Sequence, residues 1–277
     1  MTQVQLDVAI VLAAGEGTRM KSQTPKVMHQ IAGRTIIGHV LNEVSQLAPK
    51  ELRVVVGAHR ELVENHVKEI SPKAVTVFQA ERNGTGHAVQ VALNGVNESG
   101  NVLILAGDTP MLSGSTLKEF VEAHNAGGYT ASVLTAEQPD PTGYGRIIRD
   151  DLNLLLRIVE EKDATEDEKV IFEINSGVYI FDFAALTGAI AKLKSNNAQG
   201  ELYLTDAIEI IRNEGGKVAP ILCEDFTETL GVNDRVQLAE AAAILRDRVN
   251  ERHMRNGVTI LDPSTTWIDD TVTIAPD

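Results

Sequence analysis

Strand-like and helix-like segments alternate through the first hundred residues, and this alternation confines the chain to an α/β architecture with a mostly parallel sheet. Residues 8–12, Val-Ala-Ile-Val-Leu, have the length and branching of a buried strand. Ile36, Ile37, Val40, Leu41 and Val44 then recur at helical spacing and stop before Pro49. Residues 53–56 read as strand, and Leu62, Val63, Val67 and Ile70 mark a short helix. A strand at 75–78, a helix at 86–93 and a strongly apolar strand at 102–106 follow. Repeated in this order, such segments predict helices on both faces of the sheet. Ligands of such sheets bind beyond the carboxyl ends of the strands. The Gly15 loop, Gln79 and Asp108 each follow a predicted strand directly, so all three fall at that edge.

The loop after the first strand suits an anion. Ala13, Ala14, Gly15 and Gly17 leave the backbone bare, so its N–H groups can approach a phosphate closely. Arg19 and Lys26 follow and supply full positive charge, which backbone dipoles do not. Two common phosphate loops are excluded. Met20 stands where the dinucleotide fingerprint needs its third small residue, and no Gly-Lys-Ser/Thr ending follows. Taken alone, the same glycines also describe a tight strand-to-helix turn with two surface cations.

The middle of the chain changes character. Residues 129–135, 146–149, 154–160 and 177–181 read as strands separated by loops, which predicts an antiparallel lobe. Residues 163–169 are charged and read as a solvated loop. Helices at 184–193 and 204–213 and a strand at 218–223 follow. Residues 233–255 are rich in Ala, Leu, Arg and Glu and allow an amphipathic helix of about six turns, read as a connecting arm. After Gly257, Ile268 and Ile274 stand six apart, the spacing of a hexapeptide-repeat coil, although Ala275 stands where such repeats often carry Gly. A single edge strand would give the same pattern. The expected organisation is a first domain over 1–231, a linker helix over 232–256, and over 257–277 the first coil of a left-handed β-helix that stops as it begins.

Charge excludes one class of partner. Thirty-nine Asp plus Glu against 25 Lys plus Arg give a net charge of −14, whereas nucleic acid requires a basic face. A mononucleotide needs only a few local cations. The lone cysteine, Cys223, follows Ile221 and Leu222 and reads as a core-strand thiol. No apolar stretch reaches the length of a membrane span, and the opening residues 1–5 lack the basic start of a secretory signal. The expected location is the cytoplasm, with no membrane partner.

Taken in order, the motifs point further. Leu-Ala-Ala-Gly-x-Gly-Thr-Arg-Met at 12–20 is followed by Lys26-Val27-x-His29. Then come Gln79-Ala80-Glu81, Gly84-Thr85-Gly86-His87-Ala88, Gly107-Asp108-Thr109-Pro110 and Pro141-Thr142-Gly143-Tyr144-Gly145-Arg146-Ile147. Val159-Glu160, Glu173-Ile174-Asn175-Ser176-Gly177, Asn197-Ala198-Gln199-Gly200-Glu201 and Gly231-Val232-Asn233 complete the series. This series resembles the sugar-nucleotide pyrophosphorylases over nearly the whole chain. Within them it is similar to the bifunctional bacterial N-acetylglucosamine-1-phosphate uridyltransferases/glucosamine-1-phosphate acetyltransferases.

The resemblance implies a Rossmann-like nucleotidyltransferase domain in which the antiparallel lobe completes a sugar pocket. It implies the reaction of UTP with N-acetylglucosamine 1-phosphate to give UDP-N-acetylglucosamine and pyrophosphate, with Mg²⁺ as cofactor. Lys26 would contact nucleotide phosphate, and Arg19 would steady the leaving pyrophosphate. Asp108 and Asn233 would hold the metal. Leu12, Ala13, Ala14 and Gly15 would form a backbone wall, and Gln79, Gly84 and Thr85 would read the uracil. Ala106 and Gly107, beside the metal carboxylate Asp108, would bind substrate. Gly143, Glu160 and Asn175 would hold the amino sugar, with Tyr203 and Thr205 lining its acetyl group. His29 and His87 would be structural. The full-length relatives would be homotrimers, and this chain a monomer or weak oligomer. Without the resemblance, Asp108 before Thr-Pro suits a turn and Asn233 suits a helix cap. Another sugar-1-phosphate nucleotidyltransferase and a non-catalytic nucleotide-sugar-binding relative are the competing readings.

Overall fold

The first apolar run lies at the centre of one nine-stranded sheet. The computed structural model describes residues 6–57, 59–96 and 100–277; the opening residues 1–5, read above for a secretory signal, lie outside them. β1 (Val8–Ala13) leads through a two-strand hairpin, β2 (Gln30–Ile31) and β3 (Arg34–Thr35), into α1 (Ile36–Ser45). Thr35 caps this helix by accepting from the Gly38 amide. β4 (Glu51–Val56), α2 (Arg60–Ile70), β5 (Val75–Phe78), α3 (Thr85–Leu93) and β6 (Asn101–Ala106) follow where the spacing predicts them.

β1 pairs in parallel with β4 on one flank and β6 on the other, and β5 extends the sheet beyond β4. The chain thus steps outward from β1 to β4 and β5, then returns to the opposite side of β1. Strand order reverses between β1 and β6, and a crevice opens at such a reversal. Alternate residues of β1 feed the two faces. Ala9 and Val11 pack towards α1, α2 and α4 (Gly114–Gly127), while Val8 and Ile10 pack towards α3 and the later helices. The sequence reading passes over α4, although its ends carry plain signals. Ser113 caps it by accepting from the Thr116 amide, and Gly128 closes it at φ 58°.

The predicted antiparallel lobe needs correction. β7 (Ala131–Glu137) and β10 (Glu173–Asp182) do not stand apart but, with β11 (Val218–Leu222), continue the main sheet, whose order is β11-β7-β10-β6-β1-β4-β5. β10 runs antiparallel to both β6 and β7, and β11 runs parallel to β7. Only the hairpin of β8 (Arg146–Arg149) and β9 (Leu155–Val159) branches away, joined to β10 through Arg146 opposite Ile174. β10 carries buried residues along most of its length because both its flanks are paired, a placement that local alternation does not report. The charged 163–169 segment also folds more than expected. It contains α5 (Glu166–Lys169), closed by a capping box between Thr165 and Glu168. α6 (Phe183–Ile190) and α7 (Asp206–Asn213) follow.

α8 (Arg235–Arg255) is not a free arm, since its Ala241 and Leu245 pack with Ile31, Ile36, Met111 and Val232. The predicted first β-helix coil is not seen: residues 257–277 form turns and no strand. One coil has no neighbour to complete its hydrogen-bonded ladder. The segment lies back on the domain instead. Asn250 Nδ2 donates to the Pro263 and Thr266 carbonyls at 2.9 and 2.8 Å, and Asp270 pairs with both Arg34 and Arg252.

Gly57, directly after β4, lets that strand's end approach the loop after β1. A Cβ there would collide with the Ala14 carbonyl oxygen, which is backbone and cannot swing aside. Gly57→Ala is expected to displace the 14–17 loop and cost about 1–3 kcal/mol, as overpacking does. A lowered urea midpoint would show it.

Candidate functional site

The carboxyl ends of β1, β5 and β6 open into a cavity of about 370 Å³, within the size range of small-molecule sites. Leu12, Ala13, Ala14 and Gly15 form one wall, and Ala106 and Asp108 continue it from the neighbouring strand. The two walls are locked together where the Gly107 amide donates to the Leu12 carbonyl at 2.9 Å.

At one end, charge converges. Lys26 sits on a single 3₁₀ turn just after Pro25, and its Nζ donates to Asp108 Oδ2 and, at 3.0 Å, to Asn233 Oδ1. Two oxygens from distant parts of the chain therefore meet at one positive centre. Main-chain geometry enforces the meeting, because the Val232 amide donates to the Asp108 carbonyl at 2.8 Å. Asn233 is free for this contact because it is not the helix cap. Asp234 caps α8, accepting from the Val236 and Gln237 amides. This arrangement fits a hard divalent cation: two oxygen donors already face a cation, here the lysine ammonium. Among the described residues, no group of three or more His, Cys, Asp or Glu side chains could hold a metal by itself. Mg²⁺ suits such a sparse set, since it binds through one or two protein oxygens together with substrate phosphates.

A second end of the cavity is lined by Gln79, Gly84 and Thr85. Gln79 Nε2 donates to the Gly84 carbonyl at 3.2 Å, and Thr85 Oγ1 accepts from the Leu204 amide at 3.0 Å. Gly84 adopts φ 97°, and a Cβ there would meet the Leu202 carbonyl, so no larger residue fits this turn. His87 serves the same loop, its Nδ1 lying 2.9 Å from the Glu81 carbonyl.

Glu160, Asn175 and Thr205 line the remaining side. Thr205 Oγ1 donates to Glu160 Oε1 at 3.2 Å. Burial pushes the Glu160 carboxyl above its usual range, with Asp206 and Asp163 adding repulsion against the Thr205 hydrogen bond. Asn175 sits at an irregularity in β10, where its Nδ2 donates to the Tyr179 hydroxyl at 2.7 Å and its Oδ1 accepts from the Gly177 amide at 3.1 Å.

Five residues singled out from the sequence do not line the cavity; one of them, Asn233, reaches it only through its contact with Lys26. Arg19 is exposed on the one-turn helix Thr18–Met20, and Gly143 lies exposed in the loop before β8. Gly107 supplies its amide to Leu12 but no cavity surface. Tyr203 is buried, and its hydroxyl accepts from Gln199 Nε2 at 2.8 Å. Conversely, Arg82, Tyr179 and Glu201 line the cavity without having been singled out. Arg82 carried one visible signal, a cation in the loop between a strand end and Gly84. Tyr179 carried none, because a buried aromatic in a strand ordinarily means core. Cys223 lies just past β11, buried, with its thiol pushed up to about 11, mainly by burial.

Asp206 opens α7 behind Glu160, and burial raises its carboxyl to about 6, with Glu209 and Asp163 adding repulsion. The folded protein therefore binds this proton more tightly than the unfolded chain, where an aspartate titrates near about 3.9. The resulting stabilisation is complete below that value and is lost as pH rises through about 6. Asp206→Asn is expected to flatten the decline in stability between those two pH values and to raise the urea midpoint at neutral pH.

Comparison with known proteins agrees with this geometry. Residues 9–171 match the model of the MobA-like NTP transferase domain. Proteins named bifunctional protein GlmU are similar throughout. The one from Thermobifida fusca is 50% identical over 97% of this chain and 56% of its own length. Those of Streptomyces avermitilis and Enterococcus faecalis are 51% and 49% identical over 100% and 97% of this chain, each over 58% of its own length. The chain thus spans a little over half the length of these relatives. A crystal structure of UDP-glucose pyrophosphorylase complexed with UDP-glucose superposes with a TM-score of 0.69 at 17% identity, covering 88% of this chain and 100% of that one. The architecture is accordingly the Rossmann-like nucleotidyltransferase fold, with parallel strands at its centre. On the match across residues 9–171, the chain belongs to the family of MobA-like NTP transferase domains.

Proposed function

We propose that this chain is a uridyltransferase that forms UDP-N-acetylglucosamine and pyrophosphate from UTP and N-acetylglucosamine 1-phosphate. One observation carries the reading: Lys26, Asp108 and Asn233 converge at one end of a cavity whose other walls are bare backbone, an amide side chain and a buried carboxylate. The sugar phosphate oxygen attacks the α-phosphorus of UTP in line, and pyrophosphate leaves. The nucleophile is already an anion, so no general base is required, and catalysis consists of positioning and charge neutralisation. Lys26 holds a phosphate oxygen with its ammonium. The amides at 13–15 receive the phosphates along the wall of β1. Gln79, with both a donor and an acceptor, pairs with the edge of uracil, and Gly84 admits the base close to the backbone. Glu160 accepts from sugar hydroxyls, Asn175 donates and accepts beside it, and Thr205 keeps the Glu160 carboxylate oriented. Asp108 and Asn233 would hold Mg²⁺, which when bound neutralises phosphate charge and orients the reacting groups. Arg19, exposed at the end of the glycine loop, meets the departing pyrophosphate outside the cavity. Gly143 and Tyr203 support the sugar subsite through their loops rather than from its lining.

We further propose the division into a catalytic domain over 1–231, a linker helix over 232–256 and the start of a hexapeptide-repeat domain over 257–277. On the motif resemblance, acetyl transfer to glucosamine 1-phosphate and trimerisation are proposed for full-length proteins of this kind, and a cytoplasmic location for this one. No described helix is long and apolar enough to cross a membrane.

A pyrophosphate-release assay across sugar 1-phosphates and the four nucleotides UTP, CTP, GTP and dTTP tests the reading. Fastest turnover is expected with UTP and N-acetylglucosamine 1-phosphate. Faster turnover with glucose 1-phosphate would favour a different pyrophosphorylase, and no turnover with any pair would favour a non-catalytic relative.

A further inference from the structure

Arg82 is the one cavity-lining cation that the reaction as derived above does not use. It stands in the loop between β5 and α3, and its guanidinium pairs with the carboxylate of Glu16. Glu16 lies between Gly15 and Gly17, inside the loop proposed above to receive the phosphates. The pair therefore joins the phosphate-side loop to the base-side loop across the cavity mouth and brings the guanidinium beside the phosphate wall. Resting on the nucleotide reading of this cavity, we propose that Arg82 is a triphosphate-binding residue that Glu16 keeps parked at the mouth until the nucleotide enters.

The exchange of partners follows from the strengths involved. The side chains of Arg82 and Glu16 are 54% and 40% exposed. Ion pairs this wet are weak and give way readily. A triphosphate carries several charges where Glu16 carries one, and its paired oxygens match the planar guanidinium fork. A carboxylate inside a phosphate loop otherwise only repels the ligand. Its presence is explained if its work is to place the guanidinium. Arg19, the cation expected from the sequence, does not line the cavity, so Arg82 and Lys26 are the cations that do among the described residues. Glu16 tunes affinity downward, both by repulsion and by competing for Arg82.

The two side chains should then act with opposite signs. In calorimetric titration of the intact chain, Arg82→Gln is expected to weaken UTP and inorganic pyrophosphate about 5- to 10-fold, as loss of one partly solvated hydrogen-bonded contact does, and to leave uridine binding unchanged. Glu16→Gln is expected to tighten UTP about 2- to 5-fold by removing a nearby like charge. That gain should disappear in the double variant Glu16→Gln/Arg82→Gln apart from any residual repulsion, and Arg82→Lys should retain part of the affinity. The salt dependence of UTP binding should be shallower in Arg82→Gln. Circular dichroism of each variant verifies folding. Unchanged UTP affinity in Arg82→Gln, or weaker UTP binding in Glu16→Gln, would overturn the proposal while leaving the functional reading in place. Absence of UTP binding by the unaltered chain would instead remove that reading itself.

Discussion

Asp108→Ala is expected to lower Mg²⁺-dependent turnover by about 10³-fold or more while the chain remains folded. A metal ion at a transferring phosphoryl group contributes several kcal/mol, and each 1.36 kcal/mol is about tenfold in rate. Asp108 supplies the carboxylate at the point where Lys26 and Asn233 meet. The fold should survive because what ties this corner together is backbone. The Asp108 carbonyl accepts from the Val232 amide, and the Gly107 amide donates to Leu12, neither of which the substitution removes. Asp108→Asn separates charge from shape, and should lose nearly as much activity while keeping the hydrogen bond to Lys26 available. Uridine affinity, set at the opposite end near Gln79 and Gly84, should not change. Turnover within a few-fold of the unaltered chain would overturn the assignment of Asp108.

Lys26→Met is expected to reduce turnover by about 10²- to 10³-fold, as loss of one preorganised donor to a transferring group does. The second consequence runs the other way. In the nucleotide-free protein the Lys26 ammonium occupies the position between Asp108 and Asn233 that a divalent cation would take. Like charges compete for that position. Removing the ammonium should therefore tighten Mn²⁺ binding to the protein without nucleotide, measured by electron paramagnetic resonance, even as activity falls. The Michaelis constant for UTP should rise along with the drop in kcat, because the proposed contact of Lys26 with phosphate would exist in both ground and transition states. A parallel loss of activity and of Mn²⁺ affinity would instead show that Lys26 only scaffolds the two oxygens.

The half of the cavity proposed to hold the nucleotide is legible in the sequence because its determinants are local. A buried strand, a bare loop and a following cation are contiguous, so β1, the 13–15 wall and Lys26 can be placed without tertiary information. Gln79 and Asp108 are legible for the same reason, each standing just past a strand end. Asn233 is different. Its sequence context offers a helix cap as readily as a ligand, and only the structure shows that Asp234 takes the cap and leaves Asn233 facing Lys26. Arg19 falls outside the cavity because a one-turn helix decides where it points, and Arg82, not singled out from the sequence, is placed by a cross-loop ion pair. The antiparallel lobe is misjudged for a topological reason. β7 and β10 read as strands, but nothing local says that β10 joins β6 and so extends the main sheet. Residues 257–277 carry a repeat spacing that a single coil cannot convert into strands.

A crystal structure with UDP-N-acetylglucosamine and Mg²⁺ tests the central claim most directly. The account requires the diphosphate along the 13–15 wall, Lys26 shifted onto a phosphate oxygen, the metal touching Asp108 and Asn233, and the uracil against Gln79. A nucleotide sugar bound with its diphosphate away from Lys26 and Asp108 would contradict it.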